Sequence, residues 1–410
     1  MDYYLLTDLA AEIGYQLAMS GAETFRVEDT IRRILGAYGI VAEVFAIPNC
    51  LTISFETETG KPLTRMKRIG FHGNDMEKVE KLNALSRRIC ANIPDPHLAM
   101  QWLQETDKSC RQFSLPMYYL GNFCGAAGFS LVFGGSITDF LWAGLMGVVV
   151  GFVNRVTSRL EANPVFSTIS ASFFMALLAY LAAGVNLITN VDAVIIGALM
   201  ILVPGLLITN SMRDVIYGDT NSGINRIVQV FLTAFAIALG TAAAWHLTAG
   251  VYGRSFNETG FSYPFWFQGI AILVGCIGFA ILFNVHGWGS WFCTVGGMMT
   301  WMVYLLAQHL GFGIFSMNFF ATVFAAVYAE IMARIRKFPA ISYLVVSIFP
   351  LLPGAGIYYT MSFGLNGDIQ RAVQKGLETA GIAGSLAVGI LLVLTVARLL
   401  TEWRIRKMMK

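Results

Sequence analysis

Ten long apolar runs fill the chain from residue 117 onward, and each is close to the length that a membrane helix needs. A helix crosses the hydrocarbon core with roughly 20 mostly apolar residues. The pattern therefore predicts a mostly α-helical polytopic membrane protein with ten transmembrane helices. The runs cover residues 117–134, 138–156, 165–185, 191–211, 224–248, 265–284, 288–308, 314–332, 340–361 and 377–398.

Residues 1–115 follow a different pattern, in which helical periodicity alternates with short strand-like segments. They hold 28 of the 53 charged side chains of the whole chain, which is typical of a water-exposed domain. The pattern predicts a small α+β domain ahead of the first span. Its predicted helices cover residues 4–19, 23–38, 75–91 and 95–110, and its predicted strands cover 41–47, 50–57 and 62–71.

Composition narrows the functional classes. Charged residues make up 13% of the chain, about half of what a soluble globular protein carries, and the net charge is +3. These values exclude a soluble enzyme and indicate no nucleic-acid partner. The six cysteines form no CxxC pair, and the chain has no Walker loop, no G-x-G-x-x-G and no HExxH, so we expect no metal and no cofactor.

The basic residues predict the orientation of the spans. With a cytoplasmic N-terminus, twelve Lys and Arg residues of the loops and tail lie inside, and residues 1–115 add 13 more. Only Arg254, Arg371 and Lys375 lie outside. Because Lys and Arg collect on the cytoplasmic side, both termini are predicted to be cytoplasmic. The sequon at residues 257–259 then falls on an outer loop.

An internal repeat links the two halves of the membrane segment. Four short matches occur in chain order at an offset of 149 or 150 residues, which indicates duplication. The unit contains five spans, and because five is odd, the second copy enters the membrane from the opposite side. Such inverted repeats are typical of secondary transporters. The matches pair residues 125–133 with 275–283, 165–167 with 314–316, 202–205 with 351–354, and 218–219 with 367–368.

These patterns together predict four regions. A cytoplasmic α+β domain covers residues 1–115, and the two inverted five-helix repeats cover 116–250 and 264–400. A basic cytoplasmic tail follows at 401–410.

Proline-glycine pairs interrupt the fourth and ninth spans at matching positions. Proline removes a backbone donor, and freed polar groups at membrane depth are tolerated where they face protein or a wet cavity. Paired broken spans therefore predict the substrate site, although a kink that only shapes helix packing is the alternative. The predicted substrate-binding residues are Pro204, Gly205, Thr209, Asn210, Pro353, Gly354, Tyr358 and Tyr359.

Two carboxylates are candidates for proton coupling. Glu330 lies inside the eighth span, where an acidic side chain is a functional candidate, but Arg334 follows at the spacing of an ordinary helix pair. Asp214 follows the fourth span, where it is either a proton carrier or a solvated loop residue.

A dense polar motif joins the first two predicted helices of the N-terminal domain. It predicts either a regulatory or gating contact, or a capping box between Ser20 and Glu23 on a solvated helix face. The motif residues are Gly21, Glu23, Thr24, Arg26, Glu28 and Asp29.

Several of these stretches resemble the threonine/serine exporter family in its fused single-chain form. The resemblance covers nearly the whole chain. It implies a ten-span bacterial inner-membrane protein that exports threonine and serine with the proton motive force. The matching segments are residues 21–30, 37–39, 44–48, 203–206, 210–214, 218–219, 222–223 and 350–355.

Other functions stay open at this stage. Relatives split into two chains are associated with succinate export, so a dicarboxylate exporter is the first alternative. The absence of clustered Lys or Arg at the breaks favours a zwitterion instead. A membrane sensor and a hydrolase using Glu23, His72 or Glu330 are further alternatives. The expected partners are a small-molecule substrate, protons and the lipid bilayer, and oligomerisation is left open.

Overall fold

The computed structural model describes residues 2–70, 73–252, 260–336, 338–365 and 367–408. The chain divides into two units. One comprises Met1–Phe113 with Phe283–His286 and Lys337–Ser342. The other comprises Ser114–Leu282, Gly287–Arg336 and Tyr343–Lys410. The predicted sequon at 257–259, Arg254, His72 and the last two residues of the predicted tail lie outside the described residues.

The first unit is an α+β fold whose sheet carries the apolar face that its helices cover. Its three strands form an antiparallel sheet in the order β1-β2-β3. Alternate residues of the middle strand, Leu51, Ile53 and Phe55, are buried, and Ile31 and Ile34 of the second helix are fully buried. The elements are α1 (Tyr3–Met19), α2 (Thr24–Ala37), β1 (Glu43–Ile47), β2 (Cys50–Glu56), β3 (Pro62–Arg68), α3 (Met76–Asn92) and α4 (Pro96–Ser109).

A short segment from far along the chain, Phe283–His286, is held inside this unit by hydrogen bonds. The Asn284 side-chain amide donates to Asp75 Oδ1 and to the Arg111 carbonyl, each at 2.8 Å. The same Asp75 carboxylate caps α3 by accepting from the Lys78 amide at 3.0 Å. The Met76 amide donates to the Phe283 carbonyl at 3.0 Å. The start of α3 is therefore built jointly with this segment.

The second unit consists of twelve α-helices in its described part. They are α5 (Leu115–Val132), α6 (Ile137–Arg159), α7 (Pro164–Gly184), α8 (Val191–Leu199), α9 (Gly205–Tyr217), α10 (Thr220–Tyr252), α11 (Phe265–Leu282), α12 (Trp288–His309), α13 (Ile314–Arg336), α14 (Ala340–Ile348), α15 (Gly354–Leu365) and α16 (Ile369–Met408). A 3₁₀ turn at Phe349–Leu351 follows α14. The first residues of α14 belong to the first unit.

Seven of these helices are long and apolar enough to cross a membrane, and an eighth span results if α14 and α15 count as one bent span. The seven are α6, α7, α10, α11, α12, α13 and α16. The other two predicted spans correspond to α5 and to the α8–α9 pair. Helix α5 carries Pro116, two tyrosines and Asn122 within 18 residues. Helix α8 has nine residues, and α9 carries Arg213 and Asp214. The ten-span topology therefore stays a prediction.

The order and the start positions of the helices recur in the two halves. Helices α5 and α11 begin at residues 115 and 265, α9 and α15 at 205 and 354, and α10 and α16 at 220 and 369. The Gly-Asp match has a structural cause. Gly218 and Gly367 adopt positive φ values of 91° and 82°, which end α9 and α15. Asp219 and Asp368 then accept from the amides of Ser222 and Arg371, capping the next helix.

Two expectations are wrong. The predicted capping box does not form, because Ser20 closes the end of α1 with its hydroxyl on the Gln16 carbonyl at 2.7 Å, and Glu23 caps α2 without a side-chain bond. Lys375, predicted to lie between the ninth and tenth spans, is part of α16, because the Asp368 cap starts that helix at Ile369; its predicted outer placement stays a prediction.

Replacing Asn284 with alanine tests how the Phe283–His286 segment is held. The change removes three side-chain hydrogen bonds, to Asp75, to the Arg111 carbonyl and with His286. The bond to the Asp75 carboxylate alone is worth about 1.5–3 kcal/mol. We expect the Met76 and Glu77 amides, which donate to this segment, to exchange hydrogen about tenfold faster. Exchange followed by mass spectrometry in detergent checks this.

The matched control is Asn186→Ala. Asn186 has nearly the same left-handed φ, 59° against 55° for Asn284, but it is exposed. Both variants carry the strain of alanine in this backbone conformation. If the Met76 and Glu77 amides exchange faster in both variants, the lost side-chain hydrogen bonds of Asn284 are not the cause.

Candidate functional site

The two Pro-Gly pairs interrupt their helices in the same way. After α8 ends, the Gly205 amide donates to the Val203 carbonyl at 2.9 Å across Pro204. After the 3₁₀ turn, the Gly354 amide donates to the Leu352 carbonyl at 2.7 Å across Pro353. A bond between residues i and i+2 is an inverse γ-turn, whose central φ suits proline. Helices α14 and α15 meet at 49° across the second break.

The two breaks contact each other. A Cβ atom on Gly205 would lie 2.8 Å from Leu352 Cβ, and one on Gly354 would lie 3.0 Å from Val203 Cγ1. Val203 and Leu352 precede their glycines by the same two positions. The contact is therefore reciprocal, with the residue before each proline packed against the glycine of the other break.

Helices α5 and α11 cross just as closely, with backbone against backbone. A Cβ atom on Gly128 would clash with the Gly275 backbone, and one on Gly278 would clash with the Gly125 backbone. Positions advance along α5 as they retreat along α11, so the two helices run antiparallel. Phe129 and Phe279 follow these glycines, and both contact Phe349 of the 3₁₀ turn, with ring centroids 5.8 and 3.5 Å away.

A cavity of about 310 Å³ lies at the second break. Three predicted site residues line it: Pro353, Gly354 and Tyr359. Trp301 and Tyr304 stack on each other in one wall, with ring centroids 4.8 Å apart. The remaining lining residues are Phe129, Val132, Phe133, Ile314, Asn318, Pro350, Leu351, Leu352, Ala355, Gly356, Lys375, Glu378, Thr379 and Ile382.

An ion pair in the wall of this cavity is absent from the predicted site. Lys375 Nζ lies 2.8 Å from Glu378 Oε1, and the two side chains are 33% and 31% exposed. Thr379 follows on α16 and packs against Gly356, whose missing side chain admits the hydroxyl. The repeat offset carried a signal for the lysine alone, since 149 residues separate Lys375 from Arg226.

The other predicted substrate-binding residues do not line the cavity. Thr209 is 2% exposed, and its hydroxyl donates to the Gly205 carbonyl at 3.2 Å. Asn210 is half-buried on α9. Tyr358 packs against the apolar core of α6, α7 and α8, although its ring lies 5.5 Å from that of Tyr359. Pro204 and Gly205 approach the cavity only through their contact with the second break.

The two proton-coupling candidates lie in different surroundings. Asp214 is buried and forms an ion pair with Arg226 at 3.0 Å. The neighbouring Arg213 is 1% exposed. Glu330 lies 3.8 Å from Arg334 in an apolar crevice between α13 and α16. Among the described residues, this crevice and the cavity at the second break share no lining side chain.

The N-terminal motif organises the first unit. Glu28 accepts from the Ala46 amide at 2.9 Å and from Arg32 at 3.1 Å, so it ties α2 to β1. Asp29 pairs with Arg33 at 2.7 Å, and Arg26 lies 3.8 Å from Glu23. Gly21 has a φ of 89° and packs against the Gly73 carbonyl. Thr24 is buried. A gating contact of this motif stays a prediction.

Comparison with known proteins identifies the family. A family model described as "Putative threonine/serine exporter" matches residues 8–248, more than half of the chain. The chain belongs to the threonine/serine exporter family. A second model, "Threonine/Serine exporter, ThrE", matches residues 268–396. With seven to eight candidate spans, this family member is a multi-pass membrane transporter.

Two curated relatives of this exporter align over nearly its whole length. A "Threonine/serine exporter" of Corynebacterium glutamicum is 22% identical over 95% of this chain and 82% of the relative. A "Probable threonine/serine exporter" of Mycobacterium tuberculosis (strain ATCC 25618 / H37Rv) is 22% identical over 94% of this chain and 75% of the relative. No solved structure matches the chain significantly.

The contact between the breaks predicts a specific packing defect. Gly205→Ala places a methyl group against Leu352 Cβ, which cannot swing away as a flexible chain end does. We expect the free energy of unfolding to fall by about 1–3 kcal/mol, measured by denaturant titration in detergent.

A double-mutant cycle tests the cause of that loss. Leu352→Gly removes the neighbouring atoms, so Gly205→Ala should cost less in that background. Gly364→Ala on α15 is the control, since its new methyl group would lie 3.9 Å from Ala372 Cβ, an ordinary contact. Equal losses for Gly205→Ala and Gly364→Ala would contradict a tight contact between the breaks.

Proposed function

We propose that this exporter moves threonine and serine through the cavity at the second break. The observation that carries the proposal is the cavity itself, which lies where the two interrupted helices contact each other. Its volume of about 310 Å³ is at the small end of ligand sites, which span about 300–1,000 Å³. The names of the two relatives agree with small hydroxy amino acids as the substrate.

The proposal includes ten spans arranged as two inverted five-helix repeats, with α5 and the α8–α9 pair as the two additional spans. The reciprocal contacts of the glycines on α5 and α11 support this arrangement, because antiparallel equivalent helices are related by a two-fold axis perpendicular to them. If those helices cross the bilayer, the axis lies in the membrane plane. Packing of α10 against α15 and of α16 against α9 is reciprocal in the same sense.

Both termini are proposed to face the cytoplasm of a bacterial cell, with the spans in its inner membrane. The distribution of Lys and Arg supports this orientation. The grouping of Phe283–His286 and Lys337–Ser342 with residues 1–113 also supports it, since the proposed topology assigns all three segments to the same side.

Transport in the proposed mechanism alternates between the two breaks. The second break has a cavity beside it, while Thr209, Arg213 and Asp214 after the first break are buried. In an inverted repeat, the opposite-facing state exchanges these surroundings between the copies. Opening the first break would then expose the Asp214–Arg226 ion pair.

Asp214 is the proposed proton carrier. It follows the first break directly, and its pair with Arg226 is lost when a proton neutralises the carboxylate. Disrupting a buried ion pair changes the free energy strongly, so protonation of Asp214 can be coupled to the opening of the first break. Glu330 is assigned a structural pair with Arg334 in the crevice of α13 and α16.

Proteoliposomes with an imposed pH gradient test substrate and coupling together. Wild-type protein should move labelled threonine and serine with the gradient. Asp214→Asn should abolish gradient-driven movement but retain threonine–threonine exchange, because exchange needs no net proton transfer. Glu330→Gln is the matched control and should retain at least about half of the gradient-driven rate, as expected for a partly exposed pair.

Other outcomes would change the proposal in defined ways. Loss of coupling in Glu330→Gln alone would move the proton site to the α13–α16 crevice. Movement of labelled succinate alone would replace the amino acids with dicarboxylates. Movement of none of the three compounds would overturn the exporter assignment for this chain and favour a sensor.

A further inference from the structure

We propose that Lys375 and Glu378 recognise the two charged ends of a zwitterionic amino acid, with Lys375 binding the α-carboxylate and Glu378 the α-ammonium group. The inference rests on the proposed function, because it names the groups that hold the substrate in the same cavity. Neither residue belongs to the predicted site.

The position of the pair is fixed by the helix that carries it. The two residues are three apart on α16, so they lie on the same face. Both side chains line the cavity, and each is about one third exposed overall. The ammonium and carboxylate ends are therefore in reach of a molecule that enters the cavity, and they are held at neighbouring points of one wall.

The ion pair can open at little cost. A partly exposed pair of flexible side chains contributes far less to stability than a buried pair does. A zwitterion that enters offers one carboxylate to Lys375 and one ammonium group to Glu378. The single internal pair is then replaced by two pairs with the ligand, and the charge of the site stays balanced.

Other charge classes leave one member of the pair unmatched. A dicarboxylate that binds Lys375 brings its second negative charge towards Glu378, and a diamine has the reverse problem with Lys375. Like charges at close range cost free energy in a site of reduced solvation. The pair therefore selects against succinate and for an amino acid.

The rest of the cavity suits a small hydroxy amino acid. Asn318 and Thr379 supply polar atoms for a side-chain hydroxyl. The Thr379 hydroxyl donates to the Lys375 carbonyl at 2.6 Å, so its oxygen can serve a ligand only as an acceptor. Phe129, Trp301 and Tyr304 provide apolar surface that limits the size of the side chain.

The test uses two analogues that each lack one end of threonine. β-Hydroxybutyrate is threonine without its ammonium group, and isopropanolamine is threonine without its carboxylate. Each is added as an inhibitor of labelled threonine exchange in proteoliposomes that contain the full-length protein. Wild type, Lys375→Gln and Glu378→Gln are compared.

We expect each variant to change its preference in the direction of the remaining charge. Glu378→Gln keeps Lys375 and should be inhibited by β-hydroxybutyrate at a concentration roughly tenfold lower than wild type. Lys375→Gln should likewise be inhibited by isopropanolamine at a concentration roughly tenfold lower than wild type. In both variants the half-saturating threonine concentration should rise roughly tenfold, as expected for loss of a charged hydrogen bond.

Arg371→Gln is the matched control. Arg371 and Asp368 form another (i, i+3) pair at the start of α16, at 3.3 Å, but Arg371 is 71% exposed and neither residue lines the cavity. The substitution removes the same charge as Lys375→Gln from the same helix. It should leave unchanged the order in which threonine, β-hydroxybutyrate and isopropanolamine bind, and also the half-saturating threonine concentration.

The outcomes separate this inference from the function on which it rests. If wild type exchanges threonine but both variants keep the wild-type order of the three compounds, the assignment of the pair is wrong, whether or not their rates fall. The same holds if Arg371→Gln shifts the order as Lys375→Gln does. If wild type exchanges neither threonine nor serine, the proposed function itself is overturned.

Discussion

Helices α5 and α11 pack backbone against backbone where they cross at Gly125, Gly128, Gly275 and Gly278. Without a hydrophobic driving force between helices in lipid, association depends on close van der Waals contact, which small residues permit. Larger side chains at these positions would separate the helices. Phe129 and Phe279 would then lose their shared contact with Phe349, and the 3₁₀ turn ahead of the second break would lose its support.

The breaks depend on the same constraint for a different reason. Each Pro-Gly pair replaces helical hydrogen bonds with a γ-turn, and the glycine lets the opposite break approach. Interrupted backbone survives in a membrane protein only where other protein atoms or a cavity take the place of lipid. Mutual contact provides the first and the cavity beside Pro353 provides the second. One side of the two breaks is therefore packed against protein, and the other side faces the cavity.

Much of the fold follows from the length and the period of apolar segments. The three strands and four helices of the first unit lie where alternation and helical periodicity indicate, because a one-sided core imposes these periods. The breaks at Pro204 and Pro353 were also readable, since proline removes a donor wherever it stands. The residues of the cavity wall could not be predicted in this way. Apolar content starts the last span near residue 377, whereas the Asp368 cap starts α16 eight residues earlier, so Lys375 looked like a loop residue.

In the proposed inverted repeat, Arg226 and Lys375 hold equivalent positions, 149 residues apart, but their acidic partners differ. Asp214 comes from the preceding helix α9, while Glu378 comes from the same helix as its lysine. Two identical halves would give inward-facing and outward-facing states of equal energy, by symmetry alone. In the proposed mechanism, different ion pairs would remove that equality, so the sequence differences between the two halves would set the resting population of the two states. Those sequence differences do not set the direction of net flux, since only a gradient across the membrane can supply it.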